Sequence, residues 1–277
     1  MSSFNSVAWA ISFLLLMFSS AVSFAQGTSQ LIPLTLITHE APPYMAESLD
    51  SGGAVFFALG KVLKPLGYEV KVQFVSSWIR AKMNAQKDPK VDGYAPYRVE
   101  EDKDIFDFTE FLFESPWVMI ERKKNPIKWK VPEDLVKYTA GNVQGVELRP
   151  GVKELAEAGR LKVETTTTQN NNILKLVAKR VDFIFSDILV YRYLMASDPL
   201  LRPHRREFQV NAKPIVIERY GVALKKSKDS MKIIAHLNSH KTEFQKYIWD
   251  YLSEIERNSD AKPKQAVIVG SLEPALN

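Results

Sequence analysis

Residues 180–187 read Arg-Val-Asp-Phe-Ile-Phe-Ser-Asp, and their middle, Val181–Ser186, is the clearest candidate for a buried strand in the chain. A short apolar run between charged residues suits a strand covered on both faces. Asp187 then opens the apolar run Ile188–Leu194, a helix candidate. A carboxylate at the carboxyl end of a buried strand faces the crevice where open α/β sheets hold ligands. The same aspartate would also cap the helix that follows it. The two roles are compatible, and the sequence leaves both open.

Working outward, the same alternation recurs. Pro132, Glu133 and Asp134 place proline and carboxylates where a helix start favours them, and a helix is expected to continue through Leu135–Tyr138. Gly141–Val143 reads as a strand, Val152–Ala158 as a helix ending at Gly159, and Leu161–Thr165 as a strand. Asn172–Lys179 is an amphipathic helix carrying Ile173, Leu174, Leu176 and Val177. In the first half, the strand Leu34–Thr38 stops at His39–Tyr44, where two prolines oppose helix. Gly52 and Gly53 precede a helix bearing Val55, Leu59, Val62, Leu63 and Leu66, with Gly67 placed as its C-terminal cap. Tyr68–Val75 alternates, Ser76 and Ser77 can cap a helix over Trp78–Gln86, and Lys90–Ala95 returns as a strand. Near the end come a strand, Tyr220–Leu224, and helices over Ser230–Leu237 and Glu243–Ile255.

Strands alternating with helices predict an α/β architecture with largely parallel sheets. Strand-like crossings near Trp117–Glu121 and Pro214–Arg219 would divide it into two lobes and form a hinge. The gap between two lobes is the natural place for a ligand.

Composition narrows the function. The chain has 277 residues, 45% of them hydrophobic and 25% charged, which excludes a disordered chain, a collagen-like repeat and a polytopic membrane protein. The absence of cysteine removes disulfide scaffolds, thiolate metal sites and cysteine nucleophiles. A net charge of +5 fits a solvated surface better than a nucleic-acid footprint. His236 and His240 lie four apart, but Leu237 stands where a zinc-binding HExxH helix needs glutamate, so neither metal nor cofactor is expected. The uncharged apolar stretch Val7–Val22, followed by Ser23-Phe24-Ala25, suits a signal peptide removed after Ala25.

Several short motifs keep a recognisable order: Ala41–Tyr44 (APPY), Gly53 ahead of a long helix, Trp78 after a strand, and Val91–Gly93 (VDG). Phe108–Ser115 (FTEFLFES), Asn125–Ile127 (NPI), Val143–Gly145 (VQG), Arg180–Asp187 and Tyr220–Leu224 (YGVAL) follow. The set resembles the extracellular solute-binding protein family 3, the amino-acid-type periplasmic receptors of ABC importers. The resemblance implies a two-lobe periplasmic binding protein type II fold with two hinge crossings. On that frame residues 26–120 and 217–257 form lobe 1 and residues 121–216 form lobe 2, with a signal peptide at 1–25 and a tail at 258–277.

Candidate ligand contacts come from the same resemblance. Asp187 matches the position that binds a ligand's α-ammonium. Gln144, Gly145 and Val146 match the turn whose N–H groups receive a carboxylate, ahead of a helix expected near Glu147 or Pro150. Val146 lacks the hydroxyl usual there. Tyr44, Trp78 and Tyr97 would supply aromatic walls. The family's carboxylate-binding arginine would fall on or near Asp102, where none stands; Arg98, a turn earlier, or Arg80, beside Trp78, could reach the same space. A plain structural role stays open for each: a turn, a core aromatic, a surface ion pair with Glu101 or Asp102.

The expected function is capture of a small polar, amino-acid-like solute in the periplasm, by a monomer with no nucleic-acid partner. The solute would pass to an inner-membrane ABC permease or to a sensor protein, without catalysis. Two alternatives share the fold: a cyclohexadienyl-dehydratase-like enzyme drawing its general acid from His39, Glu40 or Asp187, and a sensor module independent of any transporter.

Overall fold

In the computed structural model, which describes residues 30–213 and 215–258, β1 (Ile32–His39) runs parallel to both β2 (Tyr68–Val75) and β3 (Gly93–Tyr97). The helices α1 (Ala54–Leu63) and α2 (Trp78–Lys87) make the two crossovers. Ser77 caps α2 by accepting the Arg80 N–H, as its hydroxyl suggested. Short β4 (Phe106–Phe108) completes this first sheet by pairing with the end of β10 (Val216–Lys225).

The second sheet is built around β5 (Phe113–Arg122). It pairs antiparallel with β8 (Phe183–Asp187), β9 (Phe208–Val210) and the start of β10. Parallel β6 (Thr139–Val143) joins β7 (Lys162–Thr166) to β8. Helices α3 (Val152–Glu157), α4 (Gln169–Val177) and α5 (Ile188–Ser197) follow β6, β7 and β8, while α6 (Ser230–Ser239) and α7 (Lys241–Asn258) close the chain. The strand β10 belongs to both sheets: Val216–Tyr220 pair with β5, and Gly221–Leu224 pair with β3. The two crossings are therefore antiparallel neighbours.

Period-two alternation distributes the apolar side chains. Leu34 and Leu36 of β1 enter the main core with α1, while Ile37 joins Tyr94 and Phe106 on the opposite face. Ile184 of β8 enters the main core, and Phe183 and Phe185 pack with Met119 and Leu135 behind it. Each such side chain contributes about 1.5–3 kcal/mol on burial. From Leu31 onward the described residues form one compact unit.

Several sequence expectations shift. The helix expected through Tyr138 is only a 3₁₀ turn over Pro132–Leu135, because the Tyr138 N–H closes back on Leu135 O and β6 begins at Thr139. The helix expected from Asn172 starts at Gln169, capped by Thr168 accepting the Asn171 N–H. The strand expected over Lys90–Ala95 is Gly93–Tyr97, and the last strand reaches back to Val216. His236 places Nε2 3.0 Å from Val62 O and so joins α6 to α1. The expected signal peptide and the tail beyond Asn258 lie outside the described residues. Among those described, no helix is long and apolar enough to cross a membrane.

Candidate functional site

Side chains of β5 at Phe113, Ser115 and Trp117 fall on one face, opposite Tyr220, Glu218 and Val216 of β10, with Asp187 of β8 opposite Trp117. Of this face, Phe113, Trp117, Asp187 and Tyr220 line a cleft of about 520 Å³, to which the other sheet adds His39, Tyr94 and Pro96. Tyr44 reaches in from the loop after β1. That loop is fastened to the start of α1, where Ala54 N–H donates to Pro43 O and Val55 N–H to Tyr44 O. Gly53 makes the fastening possible. Its backbone (φ 98, ψ 178) is essentially glycine-only, and a Cβ there would sit 2.6 Å from Tyr44 O. Gly53→Ala should therefore cost about 3 kcal/mol in urea unfolding and displace Tyr44 from the cleft.

Asp187 is 6% exposed. Its Oδ1 accepts the N–H groups of Leu189, at 2.9 Å, and Val190, at 3.2 Å, so it caps α5. Burial pushes its pKa up to about 6, opposed by the Ser115 hydroxyl, the two N–H groups and the charge of Arg149. Tyr44 donates its hydroxyl to Ser115 Oγ at 2.9 Å, and Trp117 Nε1 donates to Tyr220 Oη at 2.9 Å. Burial first, and then the Asp187 charge, hold both phenols well above the ordinary tyrosine pKa. The cleft floor thus carries a costly carboxylate ringed by neutral hydroxyls.

A second charged group lies beside it. The Arg149 guanidinium carbon is 4.2 Å from the centre of the Trp117 ring, and Nη1 donates to Glu147 O at 2.6 Å. Nε lies 2.5 Å from Oε1 of buried Glu218, but out of line, so that it makes an ion pair without a hydrogen bond. Burial holds the Arg149 pKa below the ordinary arginine value, and the Glu218 charge opposes this. Arg98, which follows β3, donates Nη2 to Glu147 Oε2 at 2.7 Å and lies 3.7 Å from Glu218. Lys153 donates to the other oxygen of Glu147 at 2.9 Å. Arg98 thereby ties the first sheet to the second across the cleft.

His39 ends β1 at the other side of the cleft, edge-on to Trp78 with ring centres 5.6 Å apart. Its Nδ1 is shut off from solvent and has no hydrogen-bond partner. Burial pulls its pKa down from 6.5 to about 4. The unfolded chain therefore takes up the proton first as pH falls. Stability is full above pH 6.5 and declines towards pH 4, by up to about 3 kcal/mol from this group. A His39→Phe variant should lose less melting temperature than the wild type between pH 6.5 and 4.5, as measured by calorimetry.

Of the expected contacts, Tyr44, Trp78, Arg98, Gly145, Val146 and Asp187 line the cleft. Arg80 is exposed outside that lining. Tyr97 is buried in the first sheet's core, donating its hydroxyl to Thr109 O. Gln144 is exposed and its N–H is held by Thr166 O. The helix expected near Glu147 or Pro150 is α3, which starts at Val152 after Gly151; residues 143–146 form a separate β-turn in which the Val146 N–H donates to Val143 O, so Gln144–Val146 are not at the helix start. Sequence reasoning missed Glu218, Tyr220, Ser115 and Arg149. The first three follow from alternation once β5 and β10 are taken as continuous strands. Arg149 lies in an irregular segment and carried no signal. Among the described residues no cluster of three His, Asp or Glu could hold a metal.

Comparison with solved structures places this geometry. A GluR0 ligand-binding core from Nostoc punctiforme, in complex with L-glutamate, superposes with a TM-score of 0.62 at 20% identity, covering 79% of this chain and 99% of that one. The fold is that of the two-lobe periplasmic binding proteins. An ancestral arginine-binding protein bound to arginine matches with a TM-score of 0.61 at 23% identity, over 80% of this chain and 99% of its own. A histidine kinase sensor domain with similarity to periplasmic binding proteins matches at 0.60 and 18%, over 84% and 96%. No family model matches the sequence, and no curated protein does.

Proposed function

We propose that this chain is an exported, monomeric solute-binding protein of the amino-acid type, closing its lobes on a small polar solute. We set the lobe boundaries at residues 120 and 216, a division supported by the pairing of β5 (Phe113–Arg122) with β10 (Val216–Lys225). The solute then passes to an inner-membrane ABC permease or to a sensor partner. The observation that carries this reading is the buried, poorly neutralised carboxylate of Asp187 on the floor of a cleft lined from both sheets. A ligand cation would relieve its desolvation, and contacts to both lobes favour the closed state. That solved structures of this fold hold glutamate and arginine supports the ligand's size and polarity.

The test is a thermal-shift screen of amino acids, polyamines, organic acids and sugars, followed by small-angle scattering with any compound that registers. A solute at a hundred times its Kd adds about 2.7 kcal/mol, or roughly 5–10 °C in a chain of this size. Binding should also contract the radius of gyration. Binding without contraction overturns lobe closure, silence across all four classes overturns solute capture, and turnover of prephenate or arogenate would move the chain among enzymes.

A further inference from the structure

Arg149 is the incompletely matched cation of its cluster. Lys153 has Glu147, Glu154 and Glu157 around it and Arg98 has Glu147, whereas among the described residues Arg149 has Glu218 alone within ion-pair distance, and its Nε makes no hydrogen bond there. Water screens the partly exposed Arg98 and Lys153. It does not screen Arg149, which is 6% exposed, with Nε against Glu218 and Nη1 on the Glu147 carbonyl. Asp187 acts on Arg149 only at longer range: no ion pair within 4 Å joins the two, and Asp187 Oδ1 is turned to the N–H groups of α5. The cleft thus holds a cation over the Trp117 ring and an anion on the neighbouring strand.

The opposite wall has another character. Ile79, Met83 and Val99 line the cleft yet remain about half exposed, at 53%, 46% and 49%. The charged groups among them are satisfied by one another: Lys82 pairs with Glu101 and Asp102, and Gln86 donates to Asp102. This wall presents apolar surface, the Trp78 ring and the unpartnered His39 Nδ1, with no free charge.

We infer that Arg149, on the second sheet's side of the cleft, anchors a carboxylate of the solute, and that the wall around Trp78, Ile79 and Met83 selects a zwitterion whose remaining side chain is apolar or aromatic and uncharged. The inference rests on the solute-binding reading and specifies its ligand. The carboxylate supplies a second negative partner to a buried guanidinium that stacking on Trp117 already holds in place.

The test is isothermal titration of the full mature chain with phenylalanine, leucine, methionine, glutamate, arginine and phenethylamine, the last lacking a carboxylate. Expected are tight binding of the first three, weakening of about thirtyfold or more in Arg149→Met, and phenethylamine binding that is weak and unchanged by that substitution. Arg149→Lys keeps the charge without the fork and serves if the methionine variant does not fold; a loss of at least about tenfold is expected. Affinity for the amino acids that ignores Arg149, or glutamate or arginine binding more tightly than phenylalanine, overturns the inference and leaves solute capture standing. Failure of every compound here and in the wider screen overturns both.

Discussion

Asp187→Asn should weaken solute binding by about thirty- to several-thousand-fold while leaving the unliganded protein, at pH 7, at least as stable as the wild type. The loss corresponds to about 2–5 kcal/mol for removing one partner of a buried charge contact. Stability should not suffer, because asparagine caps a helix as well as aspartate does, and the acceptor for the Leu189 and Val190 N–H groups is kept. It should even gain. The folded pKa of about 6 lies above the ordinary 3.8, so the native state binds the proton before the unfolded chain does. The resulting penalty is fully present above pH 6 and disappears as pH falls towards 3.8. Its size is up to about 3 kcal/mol, with the Arg149 charge already counted in that shift. His39 titrates with the opposite sign across nearly the same range, so the two partly cancel in the wild type. Asp187→Asn should expose the His39 limb alone, as a steeper fall in melting temperature between pH 6.5 and 4.5. Calorimetry against pH, with titration of the best solute, checks both parts. Affinity kept within a few-fold would leave Asp187 as a helix cap and nothing more.

That pairing of a cap with a cleft position was legible before any coordinates. A strand of Phe-Ile-Phe-Ser ending in aspartate can hardly sit elsewhere than in the middle of a sheet with its carboxyl end at a crevice. The alternation along Tyr68–Val75 and the serine cap at Ser77 were equally readable, because periodicity and capping are local. Charge pairing is not local. Arg98 lines the cleft, but no rule of spacing brings Glu147 and Glu218 to it from distant segments. Tyr97 looked like a wall because aromatics near strand ends line clefts, but its ring packs on Phe108 and Phe111 and its hydroxyl reaches Thr109 O, contacts with a later segment that no local pattern announces. Arg149 was invisible for the same reason: its role depends on a tryptophan and a glutamate in strands far along the chain.

Glu218 is where that non-local pairing should be most costly to break. Glu218→Gln should destabilise the protein by about 3–5 kcal/mol, which for a chain of this size is roughly 6–20 °C in melting temperature. The amide keeps the volume and removes the charge, so that Arg149, its side chain 8% exposed, is left ionised in a dry site with its main counter-ion gone. The comparison with Arg98 and Glu147 decides between burial and mere proximity. Their side chains are 31% and 49% exposed, and Glu147→Gln should cost no more than about 1 kcal/mol despite a better-formed hydrogen bond. A double substitution, Glu218→Gln with Arg149→Met, should recover much of the loss, since removing both charges also removes the desolvation of each. Urea titrations of the four proteins give the coupling directly. A cost below 1 kcal/mol for Glu218→Gln, or single losses that simply add, would mean that water reaches the pair. The cleft floor would then be wetter than its burial implies, and neither Asp187 nor Arg149 would feel the low dielectric that makes a solute's charges worth capturing.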